Sequence, residues 1–272
     1  MKKTIFITGA SRGFGKIWAE AFLKRGDNVV ATVRNIDSLK ELHAEFPENL
    51  FVLPLDVTDK KASFDAVAKA KSHFGVIDVL INNAGYGHLG AIEELEEEEI
   101  RAQFETNVFG LIWLTQAVIP VMREQKSGHI IQVSSVLGVM TFPILGIYNA
   151  SKFAVEGLSE SLATEVAGFG IKVTLVEPNG YSTDFSASSS VQSKPLAQYD
   201  DVKAALYASN NDEDYGVPDA TVGAMQKLVD AENPPLRLIL GKAGIRWIKY
   251  AYGERMKTWD EWQDVSVAAH GK

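Results

Sequence analysis

The chain predicts an α/β fold: a doubly wound, mostly seven-stranded parallel sheet with helices on both faces. Three observations point to it. Short runs that are apolar at almost every position recur along the chain, helical patterns separate them, and the first strand-to-helix junction is rich in glycine. Runs apolar on both faces suit strands of a sheet that is covered on both sides. Their alternation with helices reads as repeated strand–helix–strand units.

The first run, 4–8, follows two lysines in MKKTIFITGASRG. The apolar stretch is too short for the core of a signal peptide and ends in glycine and arginine, so it is read as the first strand. Strands follow at 28–34, 49–55, 76–81, 129–134, 171–176 and 236–240, with helices at 15–25, 38–45, 60–74, 96–124 and 145–168. The acidic run EELEEEE, 93–99, is expected to be a solvated helix start, its charges facing the positive end of the helix dipole. The apolar stretch at 108–121 contains Thr115, Gln116 and Pro120 and reads as too short and too polar to cross a bilayer.

No internal repeat or domain boundary interrupts the pattern, so one dinucleotide-binding and catalytic domain over 1–272 is expected. The serine-rich stretch at 186–201 begins directly after a strand end. Ligands bind outside the carboxyl ends of strands in such folds, so a substrate loop at about 184–216 is expected, an exposed linker being the alternative. The tail at about 242–272 carries Trp247, Tyr250, Tyr252, Trp259 and Trp262. It is expected to pack on the domain or on a neighbouring subunit, with closing a substrate pocket as the alternative.

Composition narrows the function. With 27 basic and 35 acidic residues the formal charge is −8, which argues against nucleic acid as a partner and leaves no polybasic anchor for anionic lipid. The absence of cysteine excludes disulfides, thiolate catalysis and cysteine-held metals. A cytoplasmic protein with no membrane partner and no metal is the expectation.

TGASRGFG, after the first strand, places Gly9, Gly13 and Gly15 where a helix begins. Glycine lets the backbone turn tightly and approach a pyrophosphate, which the free N–H groups of a helix N-terminus then bind. A Rossmann-type dinucleotide site is therefore expected. At the end of the second strand, where a carboxylate would mark NAD(H), the chain has Val33 and then Arg34; Arg12 lies in the glycine loop. Two guanidiniums suit a 2′-phosphate, so NADP(H) is the expected cofactor.

YNASK sets Tyr148 and Lys152 four residues apart, on one face of a helix. Together with TGASRGFG, LDVTD, NNAG, Asn107, VSSV and EPNGYST, in that order, it makes the chain resemble the short-chain dehydrogenases/reductases from about residue 4 to 183, with a plausible match on to 241. The resemblance implies that Tyr148 exchanges a proton with the substrate oxygen, that Lys152 holds the nicotinamide ribose and lowers the tyrosine pKa, and that Ser135 hydrogen-bonds the carbonyl. It also implies that Asn107 shapes a helix and holds a relay water. Asp56 and Val57 would flank the adenine, and Asn83, Ala84 and Gly85 would line the adenosine and ribose. The cofactor set is completed by Ser11, Phe14, Pro178, Asn179 and Thr183. The family's usual Pro-Gly is here Pro178-Asn179, which puts the nicotinamide turn in question; asparagine tolerates positive φ better than most residues. The apolar positions Val136, Leu137, Phe142, Tyr181 and Phe185 are the candidate substrate wall.

An NADPH-dependent carbonyl reductase or alcohol dehydrogenase acting on an apolar ketone, aldehyde or secondary alcohol is the leading reading, steroid- or retinoid-type alcohols included. An NADP(H) sensor without turnover is the competing one. The apolar faces of helices 96–124 and 145–168 are expected to pair copies of the chain into a dimer or tetramer.

Overall fold

The computed structural model describes residues 2–183, 190–208 and 211–271. In chain order the elements are β1 (Thr4–Thr8), α1 (Gly13–Arg25), β2 (Asn28–Val33), α2 (Lys40–Glu45), β3 (Leu50–Pro54), α3 (Lys60–Phe74), β4 (Val79–Asn82), β5 (Gly87–Leu89), α4 (Glu97–Phe104) and α5 (Gly110–Gln125). Then come β6 (Gly128–Val133), α6 (Gly146–Val166), β7 (Ile171–Pro178), β8 (Ser190–Gln192), α7 (Asp200–Ala208), α8 (Val222–Asp230), β9 (Arg237–Leu240), α9 (Lys242–Glu261) and α10 (Gln263–Ala268).

Seven strands form one parallel sheet in the order β3-β2-β1-β4-β6-β7-β9. The order reverses between β1 and β4, the place where such sheets open a crevice for ligand at their carboxyl ends. Each strand is apolar on both sides because each side is covered. Ile5, Ile7, Val29 and Ile81 pack with Trp18 and Phe22 of α1 and Met225 of α8, while Phe6, Val30, Leu80 and Ile130 pack with Val67 of α3 and Leu114 and Met122 of α5.

The seven strands and five long helical segments read from the pattern are present, with ends shifted by up to three residues. The fourth strand starts at Val79, not 76, and 38–45 divides into a 3-10 turn, Ile36–Leu39, and α2. The helix expected at 96–124 is interrupted by a π-helical turn, Glu105–Phe109, that carries Asn107. Counted through that turn it runs Glu97–Gln125, and by length and composition alone it could cross a bilayer, contrary to the reading of its apolar core as too short and too polar. Here its apolar side, with Leu114, Val118 and Met122, is buried against the sheet.

The strands β5 and β8 form a small separate parallel ribbon, and α8, α9 and α10 complete the carboxyl-terminal part; the sequence pattern had announced none of these as elements. The tail is mostly helical. Trp247 packs edge-on against Phe142 at 5.4 Å, whereas Tyr250, Trp259 and Trp262 are exposed.

Candidate active site

Tyr148 and Lys152 sit in the first two turns of α6, and both are buried. The Lys152 Nζ lies 5.7 Å from the centre of the Tyr148 ring and donates to the Val133 carbonyl at 2.8 Å. Ser135, in extended backbone at the end of β6, hydrogen-bonds the phenol; its Oγ also accepts the Leu137 N–H at 3.1 Å and approaches the Pro178 carbonyl at 3.4 Å. Serine, phenol and amine therefore converge from β6 and α6 above the crevice.

The surroundings set the acidities. Burial pushes the phenol up to about 12, and the Ser135 hydrogen bond opposes this. Burial draws the Lys152 ammonium down to about 8, against the pull of the Glu156 carboxylate one turn along α6. The expectation that Lys152 lowers the tyrosine pKa is therefore not met by the protein alone: the ammonium is turned toward a backbone carbonyl, and desolvation dominates.

Behind Lys152, Glu156 and Glu177 are buried around Arg237 of β9. Its Nε lies 3.0 Å from Glu156 and 3.4 Å from Glu177, and its Nη2 lies 2.9 Å from Glu160. Burial raises both Glu156 and Glu177. Glu177 reaches about 8, with repulsion from Glu156 adding to the burial and Arg237 opposing it.

Asn107 is buried in the π turn. Its Oδ1 accepts the Tyr86 N–H at 3.1 Å, and its Nδ2 donates to the Tyr86 carbonyl at 3.0 Å and to Ser151 Oγ at 3.2 Å. Ser151 in turn donates to the Tyr148 carbonyl at 2.7 Å. Asn107 thus ties the loop after β4 to α6.

The glycine loop fits a dinucleotide phosphate. Gly9 and Gly13 have φ of +66° and +52°, and a Cβ on Gly9 would stand 2.9 Å from Ala84 Cα. The N-terminus of α1 has no side-chain cap and no acidic residue in its first turn, so its leading N–H groups face the crevice without a competing carboxylate. Gly15 is buried, and its missing side chain makes room for Gly9 and Asn83. Ser11 is half-buried; Arg12 and Arg34 are exposed, at the start of α1 and just past β2, where they could meet a 2′-phosphate. Val57 is buried against Gly110, and Asp56 accepts from Thr58 N and Oγ1 at 3.0 and 2.8 Å.

Other predicted residues do different work. Asn83, expected to line the adenosine and ribose, donates its Nδ2 to the carbonyls of Thr8 and Gly9 at 2.9 and 3.2 Å, locking two loops together, and Ala84 N binds Thr8 Oγ1 at 2.9 Å. Gly85 stands close to Asn107 and Lys152. Phe14 stacks on Trp18 at 5.0 Å and meets Tyr181 edge-on at 5.1 Å. Tyr181 consequently belongs to the core beside α1 and not to the apolar cluster around Tyr148.

The turn after β7 is not left-handed at Asn179. Among the described residues only Lys126 and Ile144 have positive φ without being glycine. The Asn179 carboxamide donates to the carbonyls of Gly180 and Asp214 at 2.9 and 2.7 Å, and it occupies the space that a side chain at Gly241 would need. Thr183 is half-buried, and its amide donates to the Tyr181 carbonyl at 2.7 Å.

Val136, Leu137 and Phe142 do gather with Tyr148 in one apolar cluster; Phe185 lies outside the described residues. Met140, Leu145, Ile239, Trp247, Ile248 and Ala251 complete that cluster. The signal for the last three was the spacing of Trp247, Ile248 and Ala251 along one face of α9. Among the described residues no three His, Asp or Glu side chains converge to hold a metal ion.

A family model described as short chain dehydrogenase matches residues 3–194. Oxidoreductase BOA17 of Botryotinia fuckeliana is 38% identical over 273 residues, 99% of this chain and 100% of that protein. The 3-ketodihydrosphingosine reductase of Bacteroides thetaiotaomicron is 41% identical over 242 residues, 87% of each. The crystal structure of a short-chain dehydrogenase from Streptomyces avermitilis matches with a TM-score of 0.91 at 37% identity, covering 98% of both chains. Two more distant solved structures hold different cofactors. Serine dehydrogenase in a closed form is complexed with NADP+ (29% identity, TM-score 0.76, 88% of this chain and 95% of that one). The 3-ketoacyl-(acyl-carrier-protein) reductase from Brucella melitensis is complexed with NADH (26% identity, TM-score 0.75, 88% and 96%).

Proposed function

Because the chain belongs to the short-chain dehydrogenase family and is an oxidoreductase, we propose that it reduces an apolar ketone or aldehyde with NADPH and runs the reverse oxidation of the corresponding alcohol. The observation that carries this reading is the Ser135–Tyr148 hydrogen bond, set in an apolar cluster with Lys152 on the next turn of the same helix.

When bound, the nicotinamide dinucleotide supplies or accepts the hydride. The protein supplies the rest. Ser135 and Tyr148 present two hydroxyls to a carbonyl oxygen, and negative charge developing there is stabilised by donors already in place. A phenol held near 12 stays protonated at neutral pH until that oxygen becomes basic enough to take its proton. Val136, Leu137, Met140 and Phe142 exclude water from the exchange and favour an apolar substrate over a charged one. Arg12 and Arg34 support NADPH over NADH, since each offers a guanidinium and the end of β2 has no acidic residue at Val33 or Arg34.

The test follows NADPH oxidation at about 340 nm with a panel of ketones, for the native chain and for Tyr148→Phe. Turnover that the phenylalanine variant loses supports the reading. Tight NADPH binding with no turnover of any carbonyl replaces it with the sensor.

A further inference from the structure

The acidic run at 93–99 behaves as two different things. Glu96–Glu99 forms the expected helix start, with the Glu99 carboxylate accepting the Glu96 N–H at 3.0 Å. Glu94 is not solvated: its side chain is 1% exposed. One oxygen accepts the Ala91 N–H at 2.8 Å, and the other accepts the Leu196 N–H at 2.7 Å and the Lys203 ammonium. Its neighbours reach the same distant segment. Tyr199 donates to Glu93 at 2.6 Å, and Ser193 donates to Glu99 at 2.7 Å while its Oγ lies 2.8 Å from buried His88 Nε2. The β5–β8 ribbon lies alongside, with Leu89 opposite Gln192, and a Cβ at Gly90 would come within 2.8 Å of Ser193 Oγ.

These bonds bear on α7 because its burial is slight. None of its described residues is buried, so the hydrophobic effect fixes its position only weakly. Lys203 is on α7. One turn along the same helix, Leu206, with Val202 and Ala205, faces Phe142 and Pro143 across an apolar groove of about 470 Å³, which Asp201 borders. Phe142 also packs against the apolar cluster around Tyr148, so the groove borders that cluster.

We propose that Glu94 is a positioning residue for substrate: through Lys203 and the Leu196 amide it holds α7 opposite Phe142 and Pro143, building the wall of a groove that takes the apolar tail of the carbonyl compound. The tail assignment rests on the carbonyl-reductase reading; the anchoring does not. The leading backbone hydrogen bond from Leu196, then the Lys203 ammonium and the Ala91 N–H, hold the Glu94 carboxyl down at about 2, so the anchor keeps its charge across the working pH range.

The test compares Lys203→Met and Glu94→Gln with the conservative Lys203→Arg, in the full chain, by two readouts. Hydrogen exchange of the 196–206 amides, measured with and without NADPH, reads the anchor regardless of turnover. Faster exchange in the first two variants, with Lys203→Arg at the native rate, is expected; unchanged exchange in Lys203→Met overturns the anchor. Steady-state kinetics with 2-decanone and 2-butanone read the groove. Lys203→Met is expected to raise KM for 2-decanone about 10-fold, corresponding to about 1.4 kcal/mol, with kcat and the 2-butanone values within about twofold. Equal shifts for the two ketones, or none, overturn the groove while leaving the carbonyl-reductase reading intact. If the native chain reduces neither ketone nor any other carbonyl, that reading fails and the tail assignment falls with it, and the exchange data alone decide the anchor.

Discussion

The two sides of the crevice are built by different means. On the cofactor side the glycine loop, Asn83, Ala84 and Thr8 are stitched by bonds to backbone atoms at the ends of neighbouring strands β1 and β4. On the side proposed for the substrate the wall is α7, which buries none of its described residues; it and Tyr199 just before it are held by side chains about a hundred positions earlier in the chain, Lys203 by Glu94 and Tyr199 by Glu93. The first kind of construction tolerates few changes, because every bond serves the sheet as well. The second can be altered one ion pair at a time without touching the core, which is how one fold comes to serve many substrates.

The largest effect that bears on this contrast comes from the point where the two sides meet. Tyr148→Phe removes the proposed proton donor, and kcat/KM for a ketone is expected to fall about 10²–10⁴-fold while NADPH affinity, measured by fluorescence, stays within about twofold. On the cofactor side, Arg34→Asp would remove the proposed charge-assisted contact to a 2′-phosphate, worth about 1.5–3 kcal/mol. The ratio of kcat/KM for NADPH to that for NADH is expected to drop about 10–100-fold, with 2-butanone and 2-decanone affected alike. An unchanged ratio overturns the assignment of the cofactor choice to Arg34.

A smaller effect tests the stitching itself. Gly9→Ala places a methyl 2.9 Å from Ala84 Cα in a left-handed backbone. It is expected to cost about 1–3 kcal/mol, seen as a Tm lower by about 2–10 °C.

The smallest effect concerns Glu177. Folded, it holds its proton up to about pH 8, against an ordinary value of 4.5, so it binds the proton more tightly in the native state than in the unfolded one. The stability it contributes is complete below about pH 4.5 and is lost as the pH rises through about 8. Tm of the native chain is expected to decline between pH 6 and 9 more steeply than that of Glu177→Gln, by about a few degrees; parallel curves from differential scanning calorimetry refute it.

The same contrast explains what the sequence disclosed. The sheet was legible because its strands are short, β-branched and apolar on both faces, as Ile5, Phe6 and Ile7 are, and because Gly9, Gly13 and Gly15 mark the first junction. That Tyr148 and Lys152 share a face was legible from helical spacing, and the role proposed for them came from the resemblance carried by the other motifs. The wall was not legible. GHL and SVQ are too short to show a period, so the β5–β8 ribbon left no trace. Glu94 is one of six glutamates in seven residues, and nothing local distinguishes the buried one from its solvated neighbours; its partner Lys203 lies 109 positions away. Helix α9 was expected to pack on the domain or on a neighbouring subunit, and of its residues only Ala243 and Gly244 are fully buried. Asn179 misled for a related reason: the space it fills is set by Gly241, which follows the neighbouring strand β9 but lies far along the chain.

Ile144 carries this division into the machinery of reaction. A β-branched residue with φ of +65° is strained, and here its carbonyl is gripped by the Gly90 amide at 2.8 Å, one residue past β5 and two before α6 begins. The ribbon and the opening turn of α6, the helix that carries Tyr148, are thus fastened together by one backbone hydrogen bond at a strained residue.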